Sequence, residues 1–299
     1  MDIVRAMKTY VAVVEAGSLV GAADRLDTST TAVSRHVALL EEHLGARLLN
    51  RTTRRISMTD VGEAFFARAQ NILADIAEAE SIAGEGSTSL SGLLRISAPL
   101  SFGISQLSHW LPPFLDKYPD LKLDVDLNDR VIDLAAEGMD VAVRIGRQPA
   151  SPNLITRRLA PVRMRICASP QYLERHGRPL HPSELTGHAT LSYSYLSSGD
   201  HWVLTDLKGH QVTARIRPRV QATNGEILRD MALAGSGIIM QPSFIVDSDI
   251  ASGSLERILD GWSMDGFSLY AVYLSRQFLP AKVRAFIDHL GAMAALEPL

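Results

Sequence analysis

Apolar residues in positions 1–90 recur at intervals of three and four, which is the spacing of one buried face on a helix. The opening segment has Ile3, Met7, Tyr10 and Val14 on this spacing, and Gly17 follows as a stop signal. The pattern predicts an amphipathic first helix that ends at Gly17 and buries its apolar face.

Two further helical patterns follow, separated by the polar turn DTST. Ser18 can cap the first of them, whose inward face consists of Leu19, Ala22, Ala23 and Leu26. The second ends at Gly45 and has an apolar stripe that consists of Val33, Val37, Leu40 and Leu44. Two short helices joined by a tight turn indicate a helix–turn–helix, although any small helical bundle has a similar apolar pattern.

A longer helix is predicted to begin at Thr59 or Asp60, either of which can cap it. Its apolar residues alternate at spacings of four and three, as in a heptad seam: Phe65, Ala69, Ile72, Ile76, Ala79 and Ala83. The seam is shorter than a firm coiled-coil assignment requires. We expect this helix to pair with a second subunit, and packing on its own domain is the alternative. The expected dimerisation residues are Phe65, Ala69, Ile72 and Ile76.

The Gly/Ser-rich segment 84–92 breaks this pattern and predicts a flexible hinge. After it, strand-like runs alternate with helical patterns, which predicts an α/β domain with a largely parallel sheet. The expected strands are 93–97, 121–127, 140–146, 162–168, 237–240 and 267–275. The expected helices are 101–118, 170–176, 225–234 and 280–295. Two β-rich runs around Lys208 and Gly209 suggest an antiparallel hairpin as well.

Composition limits the possible compartments and partners. The 299 residues include 30 Lys and Arg against 33 Asp and Glu, a net charge of −3, which excludes a uniformly basic nucleic-acid binder but not a basic patch. The single cysteine, Cys167, excludes an internal disulfide and fits a reducing compartment. No long apolar run and no signal-peptide pattern is present at the start. We therefore expect a soluble, cytoplasmic protein.

The polar face of the third helix has the chemistry of a DNA-reading surface. Thr30, Thr31, Ser34 and Arg35 project from its N-terminal half, away from the apolar stripe. Hydroxyls and an arginine suit phosphate and base-edge contacts in a major groove. Residues 28–59 contain five arginines and two acids, so the local charge is positive although the chain is acidic.

The segment after the third helix can form a short hairpin, or wing, anchored by Leu48, Leu49, Ile56 and Met58. Its tip would present arginine forks and hydroxyls that suit a phosphate backbone. The candidate DNA-binding residues are Ser29, Thr30, Thr31, Ser34, Arg35, Arg51, Thr52, Thr53, Arg54 and Arg55.

The stretch TTAVSRHVALLEEHLGARLLNRTTRRISMTDVG closely resembles the signature of the LysR-type transcriptional regulators. LRISAPLSFG, YPDLKLDVDLNDRVIDLAAEGMDVAVRIG and ATNGEILRDMALAGSGIIMQP extend the resemblance along the chain. The resemblance implies a sequence-specific DNA-binding regulator whose DNA binding or activation is modulated by a small-molecule effector. It implies a winged helix–turn–helix at 1–59, a long linker helix and hinge at 60–91, and an effector-binding domain at 92–299.

The implied effector domain is a two-lobed α/β fold of the periplasmic-binding-protein (type 2) type. Lobe one would comprise 92–162 plus 266–299, and lobe two 163–265. The resemblance also implies dimers or tetramers and an interrupted palindrome in double-stranded DNA, because a two-fold dimer presents two recognition helices. The resemblance also suggests RNA polymerase as a partner. Neither a membrane nor a cofactor other than the effector is expected.

An effector would be expected beyond the carboxyl ends of strands, often at helix N-termini. The helix that starts near Ser101 could bind a carboxylate through its N–H groups, and the alternative is that Ser101 only caps it. Arg144 could pair with an anionic effector or with acids such as Asp129 or Asp140. The candidate effector-binding residues are Ser97, Pro99, Ser101, Asn128, Asp129, Arg144, Asn224, Gly225 and Gln241.

The sequence lacks the constellations of an enzyme or a metalloprotein. The nine histidines form no HExxH motif, no GxSxG is present, and DVDLNDR does not fit a calcium-binding loop. Cys167 ends an apolar strand and is expected to be a packed thiol and not a redox sensor. A solute-binding protein is the alternative from another class, but the first ninety residues do not fit it.

Overall fold

The computed structural model describes residues 2–51, 56–83, 90–148, 154–196, 199–274, 279–297 and 299. Most of the predicted hinge, residues 84–89, lies outside these ranges. Contacts between Cα atoms divide the chain into two units, Met1–Gly92 and Leu93–Leu299. Each unit has hydrophobic core clusters of its own, so the two are described in turn.

The N-terminal unit consists of helices and one short hairpin. Its helices are α1 (Ile3–Ala16), α2 (Leu19–Arg25), α3 (Thr30–Leu44) and α4 (Asp60–Ala83). Its strands are β1 (Leu49–Arg51) and β2 (Ile56–Met58), which pair antiparallel. The predicted winged helix–turn–helix with a following long helix is therefore confirmed.

Local capping chemistry fixes the bounds of these helices. The hydroxyl oxygens of Ser18 and Ser29 accept from the N–H groups of Gly21 and Ala32 at 3.0 and 3.2 Å, which satisfies donors at the starts of α2 and α3. Helix α3 ends at Gly45, whose φ of 64° lies in the left-handed region that favours glycine. The Ser18 cap and the Gly45 stop were predicted from the sequence, whereas the Ser29 cap lies in a segment that was predicted only as a turn.

The apolar stripe of α3 is buried except at its C-terminal end. Val33, Val37 and Leu40 are fully buried in the core of the unit. Leu44 and Leu26, which were predicted to face inward, are instead 38% and 37% exposed. Each lies at the end of its helix, where the packed face ends.

The linker helix α4 packs its first turns on its own unit. The rings of Phe65 and Tyr10 lie 5.8 Å apart, and Ala69 is fully buried in the core of the N-terminal unit. The assignment of Ala69 to a dimer seam is therefore wrong, because a side chain enclosed by its own domain cannot contact a partner, and the packing of Phe65 on Tyr10 points the same way. Ile72 is 42% exposed and Ile76 is half-buried, so the seam can continue only from these positions.

A close backbone approach holds α4 against the wing and α1. The Tyr10 hydroxyl donates to the Gly62 carbonyl at 2.9 Å, and burial raises the pKa of Tyr10 to about 12, so this donor stays protonated at neutral pH. A Cβ at Gly62 would lie 2.1 Å from the Leu48 carbonyl oxygen. The hydroxyl of Thr59 accepts from the Gly62 N–H at 2.9 Å and donates to the Arg47 carbonyl at 2.7 Å. Thr59 is thus the cap that the sequence suggested.

Lobe one of the second unit is a five-stranded sheet in the order β4-β3-β5-β15-β6. Its strands are β3 (Gly92–Ala98), β4 (Leu121–Leu127), β5 (Val141–Gly146), β6 (Leu154–Pro161) and β15 (Ser268–Leu274). Its helices are α5 (Leu100–Phe102), α6 (Ser108–Lys117) and α10 (Ala281–Leu296), with a π-helical turn at Gly103–Leu107 between the first two. That turn is close to the sheet, since a Cβ at Gly103 would lie 2.3 Å from the Leu127 side chain.

Lobe two has a five-stranded sheet in the order β11-β8-β12-β7-β13 and a small sheet in the order β10-β9-β14. The large sheet contains β7 (Met164–Ala168), β8 (Ala189–Tyr193), β11 (Arg217–Ala222), β12 (Ile238–Pro242) and β13 (Glu256–Arg257). The small sheet contains β9 (His201–Asp206), β10 (Gln211–Arg215) and β14 (Trp262–Ser263). The helices are α7 (Pro170–His176), α8 (Gly225–Leu233) and α9 (Ser243–Ala251). The hairpin predicted around Lys208 and Gly209 is confirmed by the antiparallel pairing of β9 with β10.

The prediction of a largely parallel sheet is wrong. Strand β15 runs antiparallel to both β5 and β6, and β12 runs antiparallel to β7, while β3 with β5 and β8 with β11 and β12 are parallel. The chain leaves lobe one after β6, forms lobe two and returns as β15. The direction of a returning strand depends on this path and not on its own residues.

We expect Gly62→Ala to lower the free energy of unfolding of the N-terminal unit by about 1–3 kcal/mol, because the added methyl group must push α4 away from Leu48. Chemical denaturation followed by circular dichroism measures the change. Gly291→Ala is the matched control, since Gly291 lies inside α10 with open space around it. An equal loss in both variants would contradict the importance of the close approach.

Candidate functional site

The N-terminal end of α3 presents the predicted reading residues on its surface. Ser29, Thr30, Thr31 and Arg35 are exposed, and Ser34 is half-buried. The opposite side of the same helix is held in the core of the unit. The helix therefore displays hydroxyls and a guanidinium from a rigid support, which is the arrangement that groove contacts require.

The wing is described only at its base. Arg51 ends β1 opposite Ile56 of β2, and the predicted tip residues Thr52, Thr53, Arg54 and Arg55 lie outside the described residues. Leu48 and Leu49 are buried, and Ile56 and Met58 pack partly buried against the same core. The predicted anchors thus hold the hairpin onto the unit.

Glu41 is a functional candidate that the sequence interpretation treated only as a charge. Its carboxylate Oε1 accepts from the N–H groups of Leu48 and Leu49 at 2.8 and 3.1 Å. Hydrogen bonds to an ionised acceptor are among the stronger ones in proteins. Helix α3 is thereby joined to the first strand of the wing. The sequence signal for this contact is an acid in the last turns of a helix that is followed, after a glycine stop, by a strand.

A cavity of about 440 Å³ lies in the second unit, between residues of lobe one and lobe two. Most of its wall is apolar, with aromatic and aliphatic side chains from both lobes. Its lining includes six of the predicted effector residues, namely Pro99, Ser101, Asp129, Arg144, Gly225 and Gln241. Ser97, Asn128 and Asn224 do not line it.

Of the three predicted residues outside the lining, Ser97 and Asn224 support residues within it, and Asn128 contacts a residue outside it. Ser97 is buried, and its hydroxyl oxygen accepts from Arg144 Nη2 at 3.0 Å. Asn128 donates its amide N–H to Asp126. Asn224 caps α8, since its Oδ1 accepts from the N–H groups of residues 226 and 227 at 3.0 and 3.3 Å.

Ser101 does not cap a helix. It is the second residue of α5, whose cap is Pro99, and it lies 3.5 Å from where a Cβ of Gly225 would be. That Cβ would also lie 2.9 Å from Gln241 Oε1. The first turns of α5 and α8, one from each lobe, therefore meet at the cavity, and a side chain at position 225 would have to displace the end of Gln241.

Arg144 is tied into lobe one by hydrogen bonds and opposite charges. Beyond Ser97, it donates to the Val143 carbonyl at 2.7 Å and the Arg130 carbonyl at 3.3 Å. Burial lowers the pKa of Arg144, and the nearby charges of Asp129 and Asp126 oppose that effect. Asp140, the other acid considered as a partner, instead lies 3.4 Å from Lys282 Nζ in a buried ion pair.

Asp129 links the lobes electrostatically. Burial raises the pKa of this carboxyl, while hydrogen bonding from the Tyr193 side chain and the Leu100 backbone, together with the charge of Arg144, favours its ionised form. Burial and the charge of Asp129 in turn raise the pKa of Tyr193 far above its usual value, so its hydroxyl remains a donor. Tyr193, at the end of β8, was missed because it has no motif and reaches Asp129 only through the fold.

The other chemistry considered from the sequence has little support in the described part of the chain. No group of three His, Cys, Asp or Glu side chains there is placed to hold a metal ion. Burial raises the pKa of the Cys167 thiol to about 12, which disfavours the reactive thiolate. None of the helices in the described ranges is both long and apolar enough to cross a bilayer.

Comparison with known proteins covers both units. Residues 4–63 match the family described as bacterial regulatory helix-turn-helix protein, lysR family, and residues 87–295 match the LysR substrate binding domain. A transcriptional regulator of Xanthomonas campestris pv. campestris is 37% identical over 286 residues, which are 94% of this chain and 82% of that one. The regulator CrgA of Neisseria meningitidis serogroup C is 37% identical over 285 residues, 95% of this chain and 94% of the relative.

A solved structure gives the same result in three dimensions. CrgA, a LysR-type regulator from Neisseria meningitidis, matches with a TM-score of 0.59 and 36% identity over 96% of this chain and 97% of that one. Members of this family are regulators and not enzymes, which agrees with the absence of catalytic motifs in the sequence. The chain belongs to the LysR family of bacterial transcriptional regulators.

Proposed function

We propose that this regulator reads an interrupted palindrome in double-stranded DNA through the N-terminal end of α3, and grips the flanking backbone through the wing. The observation that carries the proposal is the exposed row of Thr30, Thr31 and Arg35 on a helix whose other face is buried. A dimer presents two such helices, so its site has two related halves. We include in this proposal that the DNA-bound regulator contacts RNA polymerase at a promoter.

We further propose that a small molecule binds in the cavity between the lobes and alters DNA binding or activation. Residues from both lobes line this cavity, so a ligand there favours one arrangement of the lobes over another. Ser101, Arg144 and Gln241 are the polar residues assigned to direct contact. Self-association through α4, from the exposed Ile72 onward, would transmit the change to the paired DNA-binding units.

The experiment that tests the DNA-binding function is an electrophoretic mobility shift with the DNA next to the gene for this protein. A sequence-specific shift at moderate salt is expected, since a basic patch and a reading helix supply both general and specific contacts. Absence of a specific shift, with and without candidate effectors, would count against the proposal.

Arg35→Ala should weaken binding to the specific site by about 1–3 kcal/mol and relax the preference at one base pair, if its guanidinium contacts a base edge. Fluorescence anisotropy with operator variants measures both effects. Arg219→Ala is the control, because it removes an exposed positive charge from β11 in the other unit. An unchanged preference among the operator variants would show that Arg35 reads no base.

Arg54→Ala and Arg55→Ala should weaken binding to all sequences alike, because phosphate contacts carry no sequence information. Each variant should also flatten the dependence of log affinity on log salt concentration, by about one unit for each phosphate that the protein no longer neutralises. Titrations at several salt concentrations measure the slope. A slope equal to that of the wild type for both variants would remove the wing from the interface.

Glu41→Ala should weaken DNA binding by roughly tenfold, although the loss of a negative charge by itself favours binding to DNA. The reason is that two N–H groups at the base of the wing lose their acceptor. Glu42→Ala is the matched control, since Glu42 is the exposed neighbour with the same charge, and it should bind as well as the wild type or better. Equal affinity of both variants would refute a positioning role for Glu41.

A further inference from the structure

The half-buried charged groups in the cavity wall, Asp129 and Arg144, already compensate each other. Asp129 and Arg144 both line the cavity, and each favours the ionised form of the other. Asp126 adds a second negative charge near Arg144. Arg147, the remaining charged residue of the described lining, is exposed, so solvent screens its charge. A ligand carboxylate would therefore meet a cation whose charge is already balanced.

Asp129 also fills the position at which an effector carboxylate would be expected. Its side chain interacts with the backbone N–H of Leu100 at the start of α5 and with the hydroxyl of Tyr193 from lobe two. Both groups are donors, and both already favour this internal carboxylate. A second carboxylate at the same place would be repelled by the first, because two like charges in a shared site disfavour each other.

The buried side-chain donors that lack a partner are neutral ones. Gln241 Nε2 and Trp202 Nε1 have no hydrogen-bond partner among the residues described. Both residues line the cavity, and each nitrogen atom is itself buried, so a ligand oxygen reaches it only after the side chain turns toward the cavity. A buried donor without an acceptor carries a desolvation cost, which an accepting ligand oxygen would remove. These two groups would therefore be satisfied by an acceptor oxygen of a ligand, and that oxygen does not need to carry a charge.

The rest of the wall is unfavourable to an ionised ligand. It is formed largely by side chains such as Phe102, Ile132, Leu134, Met240 and Phe244. An ionised group that enters such surroundings loses its hydration without equal compensation, whereas an apolar ligand body gains by leaving water. The charge balance and the apolar surface thus favour an uncharged ligand, and the buried donors favour one that carries an acceptor oxygen.

We propose that the effector is an uncharged organic molecule with an apolar body and a carbonyl-type oxygen, such as an ester or an amide. The oxygen accepts from Gln241 or Trp202, and Asp129 acts as a specificity residue that excludes carboxylates. This inference rests on the proposed use of the cavity as the effector site.

The test compares matched acids and esters as probes. Benzoate with methyl benzoate, and 2-naphthoate with methyl 2-naphthoate, are titrated into the full chain without DNA at neutral pH, with isothermal titration calorimetry as the readout. The expected result is that at least one ester binds and that it binds roughly tenfold or more tightly than its acid. Tighter binding of the acids by the wild type, or no binding of either ester, would overturn the proposal.

Asp129→Asn is the decisive variant, because it keeps the shape of the side chain and removes its charge. The affinity for the acids should rise roughly tenfold, since Arg144 then lacks its close counter-charge, while the affinity for the esters should change little. Asp116→Asn, an exposed site on α6, removes the same charge away from the cavity and should leave both affinities unchanged. An acid-to-ester preference that is the same in Asp129→Asn and the wild type would refute the role of Asp129.

Two further measurements distinguish failure of the proposed ligand class from failure of the proposed DNA-binding function. Gln241→Leu should lower the affinity for the esters, and its circular dichroism should match that of the wild type. If its affinity is unchanged, Trp202→Phe should lower the affinity instead. An unchanged affinity in both variants would contradict the assigned donors. A mobility shift with the same preparation, without ligand, tests DNA binding on its own. Failure of ester binding with an intact specific shift would therefore reject the ligand class and leave the DNA-binding function standing.

Discussion

The N-terminal unit depends on a contact in which backbone meets backbone. At Gly62 the linker helix passes so close to the Leu48 carbonyl that a single methyl group has no space. The Tyr10 hydroxyl reaches the same residue from α1, and the Thr59 hydroxyl joins it to Arg47 at the base of the wing. Because α1, the wing and α4 meet at one point, any movement of the linker helix must move the wing with it.

The recognition helix is connected to this assembly by a different kind of contact. Glu41 couples α3 to the wing through two charge-assisted hydrogen bonds, and the core fixes the rest of the helix. Packing thus sets where the exposed residues of α3 are, while a carboxylate sets where the first strand of the wing begins. An acid on a DNA-binding surface is therefore compatible with binding when its charge is used within the protein.

In the effector unit, the cavity wall combines a balanced ion pair with neutral donors. The pair of Asp129 and Arg144 belongs to lobe one, and Tyr193 approaches it from lobe two. A ligand that enters must take the place of, or add to, these interactions between the lobes. The balance of polar contacts across the cleft is thus the quantity that a bound molecule can change.

The sequence predicted what depends on local chemistry. The hydroxyl cap at Ser18, the glycine stop at Gly45 and the burial of Val33, Val37 and Leu40 on α3 each require only neighbouring residues, and each was predicted correctly. The burial of Ala69 and the proximity of Tyr193 to Asp129 depend on contacts between residues far apart in the sequence. Six of the nine predicted effector residues do line the cavity. Tyr193 and Trp202 also line it, and they were not predicted because only the fold brings them there.

The antiparallel return of β15 has a consequence for how the protein forms. Strand β15 lies between β5 and β6, so lobe one has a gap in its sheet until residues 268–274 have been synthesised. The large sheet of lobe two uses only residues 164–257 and can close earlier. The lobe that is encoded first is therefore completed last, and its exposed strand edges must wait through the synthesis of the whole of lobe two.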